Sequence, residues 1–210
     1  MSDASPIRIL VVDDHQLIRV GITTLILPES DMKVVGEATN GLEAIANYRE
    51  CRPDITLMDL QMSEMGGFDA IVAIRNEFPD ARIIVLTMYT GDAQAQRAMK
   101  AGAQGYVLKN LLHKELLQTI RAVYGGRKAM AAEVAADVVE HTGEEGLAPK
   151  EIDVLRLIAA GNANKEVATQ LSITEETVKS RVKSILDKLG ANDRTHAVTI
   201  AFKRGILHLS

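Results

Sequence analysis

Hydrophobic and polar positions follow two rhythms along this chain, and the rhythm changes once. Up to about residue 124, short β-branched runs recur at residues 7–12, 33–38, 55–59, 82–87 and 105–108, with Gly, Pro or polar residues at most junctions. Between them, sets such as Leu42, Ile45 and Ala46, or Ile71 and Ile74, fall at helical spacing. Parallel strands need crossover connections, so this alternation predicts an α/β, doubly wound, five-stranded parallel sheet with helices on both faces.

After residue 124 the strand-like runs stop. The stretch GGRKAMAAEVAADVVEHTGEEGLAPK carries an alanine-rich helical pattern between glycines, acids and Pro149, which predicts a linker over 125–145 with room for a helix of its own. From Glu151 on, only helical spacing remains: Ile152, Leu155 and Ile158; Val167 and Leu171; Val178, Val182, Ile185 and Leu189; Ala197, Val198 and Ala201. Four short helices over 146–210 make a small all-α domain. Ser172, Ile173 and Thr174 separate the second helix from the third, a spacing short enough for a helix-turn-helix.

Composition narrows the function. The 210 residues exceed one typical domain, and 47% hydrophobic with 25% charged residues is ordinary for a folded, water-soluble chain. Cys51 is the only cysteine, which rules out an internal disulfide framework or a cysteine-based zinc site. Trp is absent and aromatics are 3%, an unpromising basis for recognition by base stacking. No apolar run nears the roughly 18 residues of a membrane span, and MSDASPIRIL lacks a signal-peptide pattern, so the expected location is cytoplasmic, with no membrane partner. The net charge of −4 is unevenly divided. Residues 146–210 hold ten Lys/Arg and seven Asp/Glu (+3), the remainder fourteen and twenty-one (−7), which predicts different partners for the two halves.

The candidate chemistry lies at the strand ends, where doubly wound sheets bind ligands. Asp13 and Asp14 follow the first strand, Asp59 ends the third, Thr87 ends the fourth and Lys109 follows the fifth. Singly, each has a structural explanation, since Asp after a strand often caps a helix. Together, three carboxylates in one place repel one another unless positive charge joins them. Lys109 and a Mg²⁺ ion held by Asp13, Asp14, Asp59 and the backbone carbonyl of Gln61 would supply that charge. An aspartate so placed can attack phosphorus to form an aspartyl phosphate, with Thr87 and Lys109 contacting the phosphoryl oxygens.

ILVVDDH, LMDLQM, VLTMY and GYVLKN, in this order, resemble the receiver domain of two-component response regulators over about residues 7–124. The resemblance implies that Asp59 accepts a phosphoryl group from a sensor histidine kinase, that Asp14 and Asp59 bind Mg²⁺, and that Asp13 assists directly or through water. It implies a switch made of Thr87 and Tyr106, in which the hydroxyl moves toward the phosphoryl group and the ring turns inward. Ser63 stands where such receivers frequently have proline, which implies a looser loop beside Asp59; Asn110 likewise replaces a common proline.

In ITEETVKSRVKSILDKL, Thr174 suits an N-cap, and Glu175 and Glu176 suit the positive end of a helix. Val178, Val182, Ile185 and Leu189 form one face. Ser180 and Lys183 lie opposite, Lys179 and Ser184 on the shoulders, and Arg181 at the far edge of the apolar stripe. Such a basic, hydroxylated face suits a major groove, although lysines on a helix often mean only solvation. The segment from Leu147 to Leu207 is similar to the LuxR-type output domain of NarL/FixJ response regulators. That implies a scaffold helix over 165–171 and a recognition helix over 174–189. Lys179, Ser180 and Lys183 match base-facing positions, Arg181 and Arg194 phosphate contacts, and Lys165 and Thr177 complete the expected contact set. The last helix, about 193–204, is where such domains pair, which makes Val198 and Ala201 the expected surface of a homodimer on double-stranded DNA.

Two other functions would fit an aspartate at a strand end. An Asp-nucleophile phosphatase would place a second carboxylate two residues after the nucleophile as acid/base catalyst, but that position is Gln61. A partner-controlled module with a vestigial pocket is weakened by the presence of all five polar groups at the strand ends. The expectation is therefore a phosphorylation-switched transcriptional regulator, not an enzyme beyond its own phosphotransfer and slow hydrolysis at Asp59.

Overall fold

The computed structural model describes residues 5–88, 92–130, 135 and 146–207. The chain divides into two compact units, one carrying the sheet and the other the last four helices.

The first unit alternates β1 (Ile7–Val12), α1 (Gln16–Ile26), β2 (Met32–Ala38), α2 (Gly41–Cys51), β3 (Ile55–Asp59), α3 (Gly67–Glu77), β4 (Ile83–Thr87), α4 (Asp92–Lys100), β5 (Gly105–Leu108) and α5 (Leu112–Tyr124). Every residue of β3, β4 and β5 is buried, as expected for continuous apolar strands covered on both faces. Ile22 and Ile26 of α1 and Leu116, Ile120 and Val123 of α5 cover one face of the sheet, packing on Ile9, Val11, Leu57 and Leu86.

All strands are parallel, in the order β2-β1-β3-β4-β5-β6. The expected five-stranded sheet thus has a sixth strand. β6 (Ala129–Met130) pairs with Gly105 and Tyr106, inside the stretch read as a linker. Two residues are too few to produce a periodic signal. The alanine-rich helical pattern expected after it lies almost wholly outside the described residues.

The strand order reverses between β1 and β3, and the register there determines the site. Val12 pairs with Met58, so Asp13 and Asp59 emerge side by side. Thr87 pairs with Leu108, so Lys109 emerges just past Thr87.

The loop from Leu60 to Gly66 is tied at both ends: the Gly67 N–H donates to the Leu60 carbonyl (3.1 Å) and the Gly41 N–H to the Met65 carbonyl (2.9 Å). Gly67 lies so close to β3 that an added Cβ would stand 2.0 Å from the Asp59 carbonyl oxygen. Backbone there cannot yield without moving Asp59. Gly67→Ala is therefore expected to destabilise the first unit by about 1–3 kcal/mol in chemical denaturation.

The second unit consists of α6 (Pro149–Ala159), α7 (Asn164–Gln170), α8 (Glu175–Leu189) and α9 (Arg194–Lys203). Val154, Leu155, Val167, Val178, Ile185, Ala197 and Ala201 form its core. The turn from α7 to α8 includes Ser172 in the left-handed region (φ 54°), and the Ile173 N–H donates to the Ala168 carbonyl (3.0 Å). Thr174 caps α8, its side chain accepting from the Thr177 N–H at 3.1 Å.

Candidate phosphoacceptor pocket and nucleic-acid interface

At the carboxyl end of the sheet, the Lys109 ammonium lies 2.7 Å from Asp13 Oδ2 and 2.7 Å from Asp59 Oδ2, and all three side chains are buried. It donates a hydrogen bond to Asp59; Asp13 Oδ2 is near enough for an ion pair but is not aligned as a hydrogen-bond acceptor. The other Asp59 oxygen accepts weakly from the Gln61 N–H (3.3 Å), which fixes the start of the loop beyond β3 against the carboxylate. Asp14 is more exposed. Asp13 accepts from the His15 N–H (2.9 Å), so the helix-capping explanation of the aspartate pair is partly realised, although His15 itself occupies the cap position of α1.

Burial pushes the Asp59 carboxyl above the usual carboxylate range, reinforced by the nearby Asp13 charge and opposed by Lys109. Burial also works against the Lys109 charge, but the close carboxylates of Asp13 and Asp59 outweigh it and hold its pKa above that of an ordinary lysine. A poorly solvated aspartate at the ligand-binding edge of the sheet, when ionised, can act as a nucleophile.

Thr87 is buried at the end of β4, and Tyr106 is fully buried on β5. The two side chains share a hydrogen bond, and burial raises the Tyr106 pKa against its effect. The ring expected to turn inward on switching is already inside.

The donor set matches a hard divalent cation. Asp13, Asp14 and Asp59 present carboxylate oxygens, and buried Asp13 Oδ2 retains coordination capacity that its ion pair does not use directionally. His15, which the sequence pattern does not single out, joins these aspartates. Ligand atoms of Asp13, Asp14, His15 and Asp59 all lie within 4.8 Å of one another. The only sequence signal for His15 is its place in ILVVDDH, directly after the aspartate pair.

In the second unit, Lys179, Ser180 and Lys183 are exposed on α8, and Arg181 is half-buried at the edge of the apolar stripe. Lys179 lies 3.6 Å from Glu176, an exposed pair of little energetic weight. Thr177 is half-buried, its hydroxyl hydrogen bonded to that of Thr174 (2.8 Å). Lys165 is exposed on α7, and exposed Arg194 donates to the Asn162 carbonyl (2.9 Å). Ser184, expected on a shoulder of the solvent face, instead donates to Glu151 (2.6 Å), which also accepts from Lys188 (3.0 Å) and the Ala148 N–H (2.7 Å). Burial opposes the Glu151 charge, yet these three donors hold its pKa below the usual range. Glu151 thereby joins the start of α6 to the second half of α8, a role its sequence position did not reveal.

Val198 is half-buried on α9. Ala201, expected beside it at a pairing surface, is fully buried in the unit's own core. Its four-residue spacing from Ala197 places both on the inward face, so Ala201 has no surface to offer a partner.

The response regulator receiver domain family matches residues 9–121, and the bacterial regulatory proteins of the luxR family match residues 145–201. The response regulator VraR of Staphylococcus saprophyticus is 36% identical over 96% of this chain and 99% of its own. The chain belongs to the response regulators. It is a two-component, DNA-binding regulator of transcription, with a receiver domain followed by a LuxR-type helix-turn-helix domain. Among solved structures, this response regulator is similar to a LuxR-family response regulator from Aurantimonas, with 42% identity over 65% of this chain and 98% of that one, at a TM-score of 0.63. It is also similar to RcsB of Salmonella enterica serovar Typhimurium, bound to a promoter in the presence of the phosphomimetic BeF3⁻, with 28% identity over 93% of this chain and 98% of that one, at a TM-score of 0.73. No helix among the described residues is long and apolar enough to cross a membrane.

Proposed function

We propose that this regulator is switched by transfer of a phosphoryl group from a sensor histidine kinase to Asp59, and that the phosphorylated form binds double-stranded DNA as a homodimer in the cytoplasm. In this reading residues 1–124 receive the signal, 125–145 connect, and 146–210 read DNA. The observation that carries it is the clasp of Asp13, Asp59 and Lys109 at the point where strand order reverses.

Asp13, Asp14, Asp59 and the Gln61 backbone carbonyl would hold Mg²⁺, which when bound supplies positive charge against the phosphoryl oxygens. An Asp59 carboxylate oxygen attacks phosphorus; the new O–P bond forms as the P–N bond to the kinase histidine breaks, and the electron pair leaves with the imidazole. Lys109, already 2.7 Å from Asp59, exchanges part of that contact for a phosphoryl oxygen. The Thr87 hydroxyl turns from Tyr106 toward the phosphoryl group, which alters the surface at the ends of β4 and β5. Gln61 offers no carboxylate to activate water, so hydrolysis is slow and the phosphoryl group persists as a signal. Incubation with a small-molecule phosphodonor and Mg²⁺ should yield a base-labile phosphoprotein. Absence of label in the wild type would overturn the pocket assignment.

For DNA, Lys179, Ser180 and Lys183 face base edges, while Lys165, Thr177, Arg181 and Arg194 contact the backbone. Lys183→Ala should weaken specific binding by about 1–3 kcal/mol and relax the sequence preference. If the ratio of specific to non-specific affinity does not change, Lys183 contacts phosphate only. Val198 remains the pairing position on α9.

A further inference from the structure

The residue after the aspartate pair has no part in the mechanism above, yet its side chain is aimed at the pocket. The His15 ring is 68% exposed, but its Nδ1 lies 2.7 Å from Asp14 Oδ1 and 3.4 Å from Asp13 Oδ1. Its backbone is fixed in place by the 2.9 Å bond from the His15 N–H to Asp13 Oδ1, at the extended cap position of α1. The mean direction of the ring is thus set by the same aspartates that line the pocket.

Ligands of an octahedral ion at about 2.1 Å stand about 3.0 Å apart when adjacent and about 4.2 Å apart when opposite. The His15–Asp14 and His15–Asp13 separations of 2.7 and 3.4 Å bracket the first value, and the whole set falls within 4.8 Å. Four side chains therefore stand almost at coordination spacing, and an ion seated between them would replace the proton of the His15–Asp14 contact, which leaves to solvent, and open that contact by a few tenths of an ångström. Mg²⁺ prefers oxygen donors and surrenders water reluctantly, whereas imidazole nitrogen raises affinity for first-row transition ions in the order Mn²⁺, Fe²⁺, Co²⁺, Ni²⁺.

We propose that His15 Nδ1 is a ligand to the divalent ion of this pocket, and that it gives the pocket a preference for first-row transition ions over Mg²⁺. This rests on the reading of the aspartate pocket as an ion site, and adds to it a nitrogen donor and a class of ion.

The test uses the full chain without phosphodonor. Mg²⁺ and Co²⁺ affinities are measured by titration calorimetry, and Mn²⁺ is used as a spectroscopic probe, with electron spin-echo modulation reporting nitrogen ligands. Wild type should show imidazole nitrogen coupled to Mn²⁺. His15→Asn, which keeps a polar cap and offers only an amide oxygen, should lose that signal and lower the Co²⁺ to Mg²⁺ affinity ratio about tenfold. His15→Ala should do the same. Ions that bind wild type without nitrogen coupling, or an unchanged ratio in both variants, overturn the role of His15 and leave the aspartate site standing. Failure of wild type to bind any of the three ions, or binding indifferent to Asp59→Asn, overturns both.

Discussion

Asp59→Asn is expected to abolish phosphoryl uptake altogether and, at the same time, to make the receiver more stable. The amide has no anionic oxygen to attack phosphorus, so the loss is complete. The stability gain has a separate cause. Burial and the neighbouring Asp13 charge raise the Asp59 pKa, so the ionised carboxylate costs folding free energy. A group whose pKa is raised on folding contributes stability below its unfolded value, about 3.9, and that contribution disappears as pH rises through the folded value. Wild type and variant should therefore converge in urea denaturation near pH 4 and separate by about 1 kcal/mol toward pH 7, with the variant more stable. A variant less stable than wild type at pH 7 would mean that Asp59 is a net structural anchor.

Lys109→Met should have the larger structural effect. It leaves Asp13 and Asp59 buried and close together with no cation between them, a situation that typically costs about 3–5 kcal/mol. The deficit should narrow as pH falls and Asp59 takes up a proton. It should also narrow in the Lys109→Met/Asp59→Asn double variant, because the two positions share one electrostatic cluster and their effects are not additive. Strict additivity would show that Lys109 stabilises through its packing and not through its charge. Above pH 10, wild type should lose the clasp as Lys109 deprotonates, later than an ordinary lysine would, because its pKa is raised.

The pocket was legible because it is made where strands end. Runs such as ITLMD stay apolar until the backbone leaves the sheet, so the first polar residue after each run marks the ligand-binding edge. Parallel pairing then brings Asp13, Asp59, Thr87 and Lys109 together from four distant segments. The helix-turn-helix spacing was equally plain, since Ser172 to Thr174 separate two apolar stripes.

What escaped notice depends on single tertiary contacts. Two residues of β6 have no period. Ser184 and Glu151 look like surface residues until three-dimensional packing places them within 2.6 Å. Ala201 has the same helical spacing whether its face meets a partner or its own core, and the structure places it in the core. His15 carries no signal in the sequence beyond its place after the aspartate pair, because its significance lies in the direction of one ring nitrogen.

The most direct test of the switch measures the affinity of the full chain for a target promoter before and after treatment with a phosphodonor and Mg²⁺, in wild type and Asp59→Asn. The account predicts tighter binding with dimer formation in treated wild type, and no change in the variant. Wild type that takes up phosphate at Asp59 yet binds DNA with the same affinity and in the same oligomeric state would contradict it.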